Sequence, residues 1–185
     1  MTMHVALLRA VNVGGRGKVG MADLRQLGVD LGFSEVKTFL QSGNLVFSSD
    51  PRPEAELELQ LERAARDRLS LTTDVIVRTA KGWAAALARN PFPKEARNDP
   101  AHLVTVFLKG TPASGAGRRL QESVRGPERM RVVGPHAYIV YPEGIARSRL
   151  TLPVIERRLG FRGTGRNWNT VTKLAAIASG AAAHT

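Results

Sequence analysis

Short apolar runs alternate with amphipathic stretches in the first half of the chain. Val5–Val11 predicts a buried strand, and Met21–Leu31 repeats at helical spacing until Gly32 ends the helix. Two short strands flank a Ser-Gly-Asn turn at residues 42–44, which is typical of a hairpin. A helix after Pro53 and a strand over Thr73–Thr79 complete the order β-α-β-β-α-β, the ferredoxin-like pattern.

The second half repeats most of this order. A short helix over Lys81–Arg89 and a proline-bounded linker over Pro93–Pro100 separate the halves. A strand, a helix, a hairpin and a helix follow, over residues 102–108, 112–123, 130–141 and 152–159, but no apolar run marks a last strand. The sequence therefore predicts an α+β protein of two tandem ferredoxin-like β-α-β-β-α units over 1–92 and 101–185. The second unit is atypical and ends in a C-terminal helix, and the alternative is that the two units share one compact domain.

The net charge of +11 changes this picture because it is unevenly distributed. Residues 147–185 hold seven basic groups against Glu156 alone. Such clustering attracts phosphate-bearing partners. Of the 27 basic residues 21 are arginine, however, so a compositional bias of the genome explains the charge equally well.

The chain has no cysteine, and its first residues lead directly into a strand without the features of a signal peptide. We therefore expect a cytoplasmic protein with no membrane association. The four histidines are isolated, so we expect no metal site, and no motif indicates a cofactor. The glutamates at 54, 56, 58 and 62 lie on one helix with Arg63 and Arg66 and predict a solvated face.

The loop after the first strand is the strongest candidate for binding chemistry. It runs from Asn12 to Lys18, contains Gly14, Gly15 and Gly17, and leads into a helix. Glycines allow close backbone approach, and the amides at a helix start attract anions. The spacing does not fit the Walker pattern, so the loop is either an anion-binding loop or a plain connection. Arg9 interrupts the preceding apolar strand and either pairs with a buried carboxylate or reaches a ligand.

A second polar cluster lies near the C-terminus, at Arg166-Asn167-Trp168-Asn169-Thr170. Arginine supplies a forked donor, and Asn or Thr caps the following helix if the cluster is purely structural. The predicted ligand-binding residues combine both clusters with the hairpin turn: Arg9, Asn12, Gly14, Gly15, Lys18, Ser42, Asn44, Arg166, Asn167, Asn169 and Thr170.

Several of these segments resemble the bacterial family known as domain of unknown function 1697. The likeness is carried by Leu7-Leu8-Arg9-Ala10-Val11-Asn12-Val13-Gly14-Gly15, by Gln41-Ser42-Gly43-Asn44, by Asn90-Pro91-Phe92, by Tyr141-Pro142-Glu143-Gly144 and by residues 166–171. Ala10 and Gly165 depart from the usual family residues. The resemblance implies paired ferredoxin-like units and implies no activity.

Three hypotheses about function follow. The leading one is that the protein binds a phosphate-bearing or other anionic ligand, either a nucleic acid or a nucleotide-like molecule. The second is an enzyme acting on a small phosphorylated or carboxylated metabolite, with Arg9 or Lys18 stabilising negative charge in a closed pocket. The third is a non-catalytic assembly protein that forms a homodimer through a sheet edge.

Overall fold

The computed structural model describes residues 1–13 and 17–180. They fall into two compact units, Met1–Ala85 with Lys173–Thr185 (unit 1) and Ala86–Thr172 (unit 2). Each unit contains a four-stranded antiparallel sheet, with strand order β2-β3-β1-β4 in unit 1 and β6-β7-β5-β8 in unit 2. The predicted α+β class with tandem ferredoxin-like units and a C-terminal helix is confirmed.

Unit 1 follows the predicted order closely. Its elements are β1 (Thr2–Leu8), α1 (Met21–Asp30), β2 (Ser34–Phe39), β3 (Asn44–Ser49), α2 (Glu54–Leu69) and β4 (Val75–Thr79), followed by α3 (Ala80–Ala88). Alternate residues of β1 point to opposite faces of the sheet, and Ala6 and Leu8 join Leu24 of α1 and Leu57 of α2 in one core cluster. The apolar stripes of the two helices are thereby buried against the sheet.

Unit 2 repeats this arrangement. Its elements are α4 (Pro93–Asn98), β5 (Leu103–Leu108), α5 (Ala116–Ser123), β6 (Arg129–Val133), β7 (His136–Val140), a 3₁₀ turn (Ile145–Arg147), α6 (Leu152–Leu159) and β8 (Gly163–Asn167), followed by α7 (Trp168–Ala178). Val104 and Val106 of β5 pack with Leu120 of α5 and Ile155 of α6 in the core of this unit.

Two expectations about unit 2 were wrong. The last strand is present as β8, which pairs with β5 over five residues. It has no apolar run because its backbone lies close to its neighbour: a Cβ on Gly163 would stand 2.8 Å from the carbonyl oxygen of Phe107. The expected linker contains the helix α4, whose Glu95 forms an ion pair with Arg129 of β6.

The outer strand β4 is protected by a row of glutamates on α2. Glu54, Glu58 and Glu62 accept hydrogen bonds of 2.8–2.9 Å from alternate backbone N–H groups of β4. These N–H groups would otherwise be unpaired, because β4 is the edge of its sheet. The expected solvated face is therefore wrong for these three glutamates, while Glu56 is exposed as expected.

Candidate functional site

The side chain of Asn12 holds the first loop together. Its Nδ2 donates to the carbonyl oxygens of Val19 (3.0 Å) and Gln41 (2.7 Å), and its Oδ1 accepts from the Val19 amide at 2.9 Å. Asn12 itself has a left-handed backbone, with φ of 55°. The amide of Asn12 thus serves the loop conformation. Gly14 and Gly15 lie outside the described residues.

A shallow depression of about 470 Å³ lies where this loop meets α1. It is lined by Asn12, Lys18, Val19, Gly20 and Gln41. Lys18 is exposed and supplies the one cationic side chain among these lining residues. The start of α1 has a carboxylate of its own nearby, since a Cβ on Gly20 would lie only 2.8 Å from Asp23 Oδ2. That carboxylate competes with any external anion for the helix N-terminus.

The other predicted residues of unit 1 also have structural contacts. Asn44 is fully buried, and its Nδ2 donates to the Phe39 carbonyl at 2.6 Å and to Ser42 Oγ at 3.0 Å. Arg9 is half-buried, and its backbone N–H donates to the Asp74 carbonyl at 2.9 Å. These bonds fix the hairpin and the end of β1.

The C-terminal cluster divides between burial and helix capping. Arg166 is buried; its guanidinium donates to Thr164 Oγ1 and to the Gly165 carbonyl, both at 2.8 Å, and burial lowers its pKa to about 10. Asn167 Oδ1 accepts from the backbone N–H and the hydroxyl of Thr170, each at 3.0 Å, and so caps α7. Asn169 is exposed.

The predicted site that combines the first loop and the hairpin turn with the C-terminal cluster stays a prediction. Arg9, Asn12, Lys18, Ser42 and Asn44 belong to unit 1. Arg166, Asn167, Asn169 and Thr170 belong to unit 2. Within each unit, the side chains of Asn12, Asn44 and Asn167 are engaged in local hydrogen bonds, and Lys18 and Asn169 are exposed.

A deeper cavity, of about 320 Å³, lies entirely within unit 2. Three arginines from two separate segments line it: Arg125 follows α5, while Arg147 and Arg149 belong to the segment between β7 and α6. None of the three forms an ion pair with any residue that the structure describes. We call this cavity the arginine pocket. Its lining also includes Glu128 and Glu143, so the three arginines leave a net charge of +1 on this concave surface.

Part of the lining of the arginine pocket is held in place by hydrogen bonds among Glu128, Ser148, Tyr141 and Leu150. Ser148 Oγ forms a short hydrogen bond with Glu128 Oε1 and accepts the Leu150 amide at 2.9 Å, so its hydroxyl proton points to Glu128. The hydroxyl of Tyr141 donates to the Leu150 carbonyl at 2.9 Å. Burial, and secondly the charge of Glu128, raises the pKa of Tyr141, which therefore stays neutral.

This pocket was not among the sites predicted from the sequence. Arg147 and Arg149 stood out only within the basic C-terminal region, and Tyr141-Pro142-Glu143-Gly144 only among the segments that carry the family resemblance. The signal that was available is the spacing Arg-Ser-Arg at 147–149 in the turn after the second hairpin. Its meaning depends on Arg125 and Glu128, which lie about 20 residues earlier and are brought there by folding.

In residues 1–13 and 17–180, no three His, Asp or Glu side chains are grouped so as to hold a metal ion. Nor does that part of the chain contain a helix with the length and apolar run that a membrane span requires.

Comparisons with known proteins agree with the fold and leave the ligand open. No curated protein matches the sequence. Among solved structures, the conserved bacterial protein SP0830 from Streptococcus pneumoniae is similar over 96% of this chain and 98% of its own, with a TM-score of 0.75 and 24% identity. At that identity the likeness shows the fold alone. The model of the family described as protein of unknown function DUF1697 matches residues 1–138, so the chain is a member of the DUF1697 family.

Proposed function

We propose that the protein binds a phosphate-bearing or other anionic small molecule in the arginine pocket of unit 2. One observation carries this proposal: Arg125, Arg147 and Arg149 line one cavity, and none has a carboxylate partner among the described residues. Arginine presents a planar fork of donors that matches phosphate and carboxylate oxygens. Three such groups kept without internal partners favour an external anion.

Charge across the unit supports this location. Unit 2 contains fifteen basic and six acidic residues, a net charge of +9, whereas the rest of the chain has twelve and ten. Two of the six acidic residues, Glu128 and Glu156, are buried. The field around the pocket is therefore positive and steers anions toward it.

The first loop is the weaker location for the same ligand. Its depression is lined by a single cation, Lys18, and Asp23 already places a carboxylate at the start of α1. The predicted residues Arg9, Asn12, Gly14, Gly15 and Lys18 stay a separate hypothesis, which Lys18→Ala tests.

Calorimetric titration with inorganic pyrophosphate tests the proposal. We expect saturable binding to the wild type and a loss of at least a hundredfold in affinity for the triple variant R125A/R147A/R149A, because each charge-assisted hydrogen bond contributes about tenfold. The double variant R157A/R158A is the matched control, since these arginines are exposed on α6 of the same unit but do not line the cavity. Equal affinity in all three proteins would contradict the proposal.

A nucleic acid is the alternative anion, and salt distinguishes it. Binding to duplex DNA would weaken with a log–log slope of about −0.9 per phosphate contacted. It would also depend on the exposed Arg157 and Arg158 at least as much as on the pocket. We favour the small molecule because the unpaired arginines surround a concavity.

A second candidate function is an enzyme acting on a small phosphorylated or carboxylated ester. The observation in its favour is the Ser148 hydroxyl, which is hydrogen-bonded to Glu128 inside the arginine pocket and so has a base within reach. Release of nitrophenol from 4-nitrophenyl phosphate or acetate, abolished in Ser148→Ala, would support it. Pyrophosphate binding without turnover of either ester would leave a binding protein.

A further inference from the structure

Glu128 is a carboxylate in the middle of a cationic pocket, and the proposed binding of an anion does not use it. It is 8% exposed and lines the cavity together with the three arginines. One of its oxygens, Oε1, receives the Ser148 hydroxyl. The other, Oε2, takes part in no hydrogen bond within the described residues.

The position of Oε2 is set by its surroundings. A Cβ on Gly126 would lie 2.1 Å from it, so the carboxylate lies over this glycine and would have to shift to accommodate a larger residue there. Ser148 holds the opposite oxygen. Oε2 is not among the fully enclosed polar atoms without a partner, so it stays accessible and can accept a hydrogen bond from a donor on a ligand.

The rest of the lining includes the polar residues Ser123 and Glu143 and an apolar part. Leu120, Val124, Leu150 and Val154 border the cavity next to the ring of Tyr141. At about 320 Å³ the cavity is at the small end of ligand pockets. A flat ring system attached to one phosphate suits such a space, whereas an oligonucleotide does not.

We propose that the arginine pocket selects a nucleoside monophosphate whose base carries an amino donor, with the phosphate at Arg125, Arg147 and Arg149 and the amino group at Glu128 Oε2. This inference rests on the proposed anion binding and adds the recognition of the opposite end of the ligand. The phosphate end requires cationic donors and the amino end requires an acceptor, and the pocket contains both kinds of group.

A matched pair of ligands tests it on the unmodified protein. Adenosine 5′-monophosphate and purine riboside 5′-monophosphate differ by the amino group alone. We expect the first to bind about tenfold more tightly, because only it can donate a hydrogen bond to the carboxylate oxygen Oε2. In Glu128→Gln we expect this preference to fall to less than twofold, because an amide at this position presents a donor as readily as an acceptor.

Inorganic pyrophosphate, measured in parallel, separates this inference from the proposed function. If pyrophosphate and both nucleotides bind but the two nucleotides bind equally, the role of Glu128 is overturned and anion binding stands. A preference that persists in Glu128→Gln also overturns the role of Glu128. If none of the three binds, both proposals fail. The comparison of ligands on the wild type stays decisive even where the variant does not fold.

Discussion

Units 1 and 2 share their strand order but protect their outer strands differently. In unit 1 the helix α2 spans 16 residues, and three of its glutamates bind alternate N–H groups of β4. In unit 2 the helix α6 spans 8 residues, and Glu156 alone binds β8, through the Gly163 amide at 2.9 Å. One turn earlier on α6, the position that a second glutamate would occupy holds Leu152.

The difference accounts for two of the seven charges by which the net charges of the two units, +2 and +9, differ. Edge strands need their N–H groups satisfied or covered, and unit 1 does this with acidic side chains that also offset its basic residues. Unit 2 places only one carboxylate there, and its basic residues exceed its acidic residues by nine. One topology therefore supports a nearly neutral unit and a strongly basic one, and the arginine pocket lies in the basic one.

The largest expected effect on stability comes from Glu58, the middle one of the three α2 glutamates that bind β4 in unit 1. Glu58 is buried, accepts the Val77 amide, and lies 3.9 Å from the buried guanidinium of Arg78. Glu58→Ala leaves an amide and a charge without this partner, so we expect unfolding to require about 3 kcal/mol less. Urea denaturation measures this. The control Glu56→Ala, exposed on the same helix, should change stability by about 0.5 kcal/mol or less.

Glu156, the corresponding glutamate of unit 2, should contribute less to the free energy of unfolding. Glu156→Ala removes the bond to Gly163 and the 3.6 Å ion pair with the exposed Arg162. We expect a loss of about 1–2 kcal/mol, because Arg162 is exposed and its ion pair is screened by solvent, whereas the Arg78 partner of Glu58 is buried. A loss equal to or greater than that of Glu58→Ala, in the same urea experiment, would contradict the comparison.

Ligand binding should separate the units as well. Arg149→Ala is expected to weaken pyrophosphate binding about tenfold, since it removes a charge-assisted contact in the pocket. Lys18→Ala, in the depression of unit 1, should change affinity by less than about twofold, as expected for an exposed charge elsewhere on the surface. The reverse ranking in calorimetry would move the site to the first loop.

The smallest expected effect is a pH dependence that originates in unit 1. His4 is fully buried, its ring nitrogens form no hydrogen bond, and it stacks on Phe47 at 5.3 Å. Burial, and secondly Arg52, lowers its pKa below 6.5, so below that pH the unfolded chain takes up the proton first. Stability contributed by neutral His4 is thus present above pH 6.5 and lost as the pH falls.

Replacing His4 by phenylalanine should remove this loss and keep the ring contact. The test is the difference in the urea midpoint between about pH 7 and pH 5, which should be smaller in His4→Phe than in the wild type. An unchanged difference would show that other groups set the acid sensitivity.

Most of the fold could be predicted from the sequence because its signals are local. Neighbouring residues in the sequence determine the apolar periodicity of β1, α1 and α2 and the turns at Gly43 and Gly134. β8 could not be predicted, because Gly163 lies against the backbone of Phe107 and Gly165 against the side chain of Val104, and these contacts with β5 exist only after folding. The prediction of a solvated face for the α2 glutamates was wrong for the same reason, because their partners are amides on a later strand.

The candidate site could be predicted less well. Asn12, Asn44 and Asn167 stand out in the sequence, yet each uses its side chain to fix a loop, a hairpin or a helix end. The anionic character of the predicted ligand and the basic C-terminal region were visible as charge alone. The pocket needs Arg125, Glu128 and Arg149 together, and no spacing rule connects residues that different elements bring to one cavity.

The central claim is that unit 2 binds an anion at the arginine pocket. Nuclear magnetic resonance of the ¹⁵N-labelled protein during titration with pyrophosphate tests it most directly, because each backbone amide and arginine Nε reports its own position. We predict that the largest shifts lie at Arg125–Glu128 and Arg147–Arg149. Largest shifts at Lys18–Met21, or small shifts spread over exposed arginines such as Arg157 and Arg158, would contradict it.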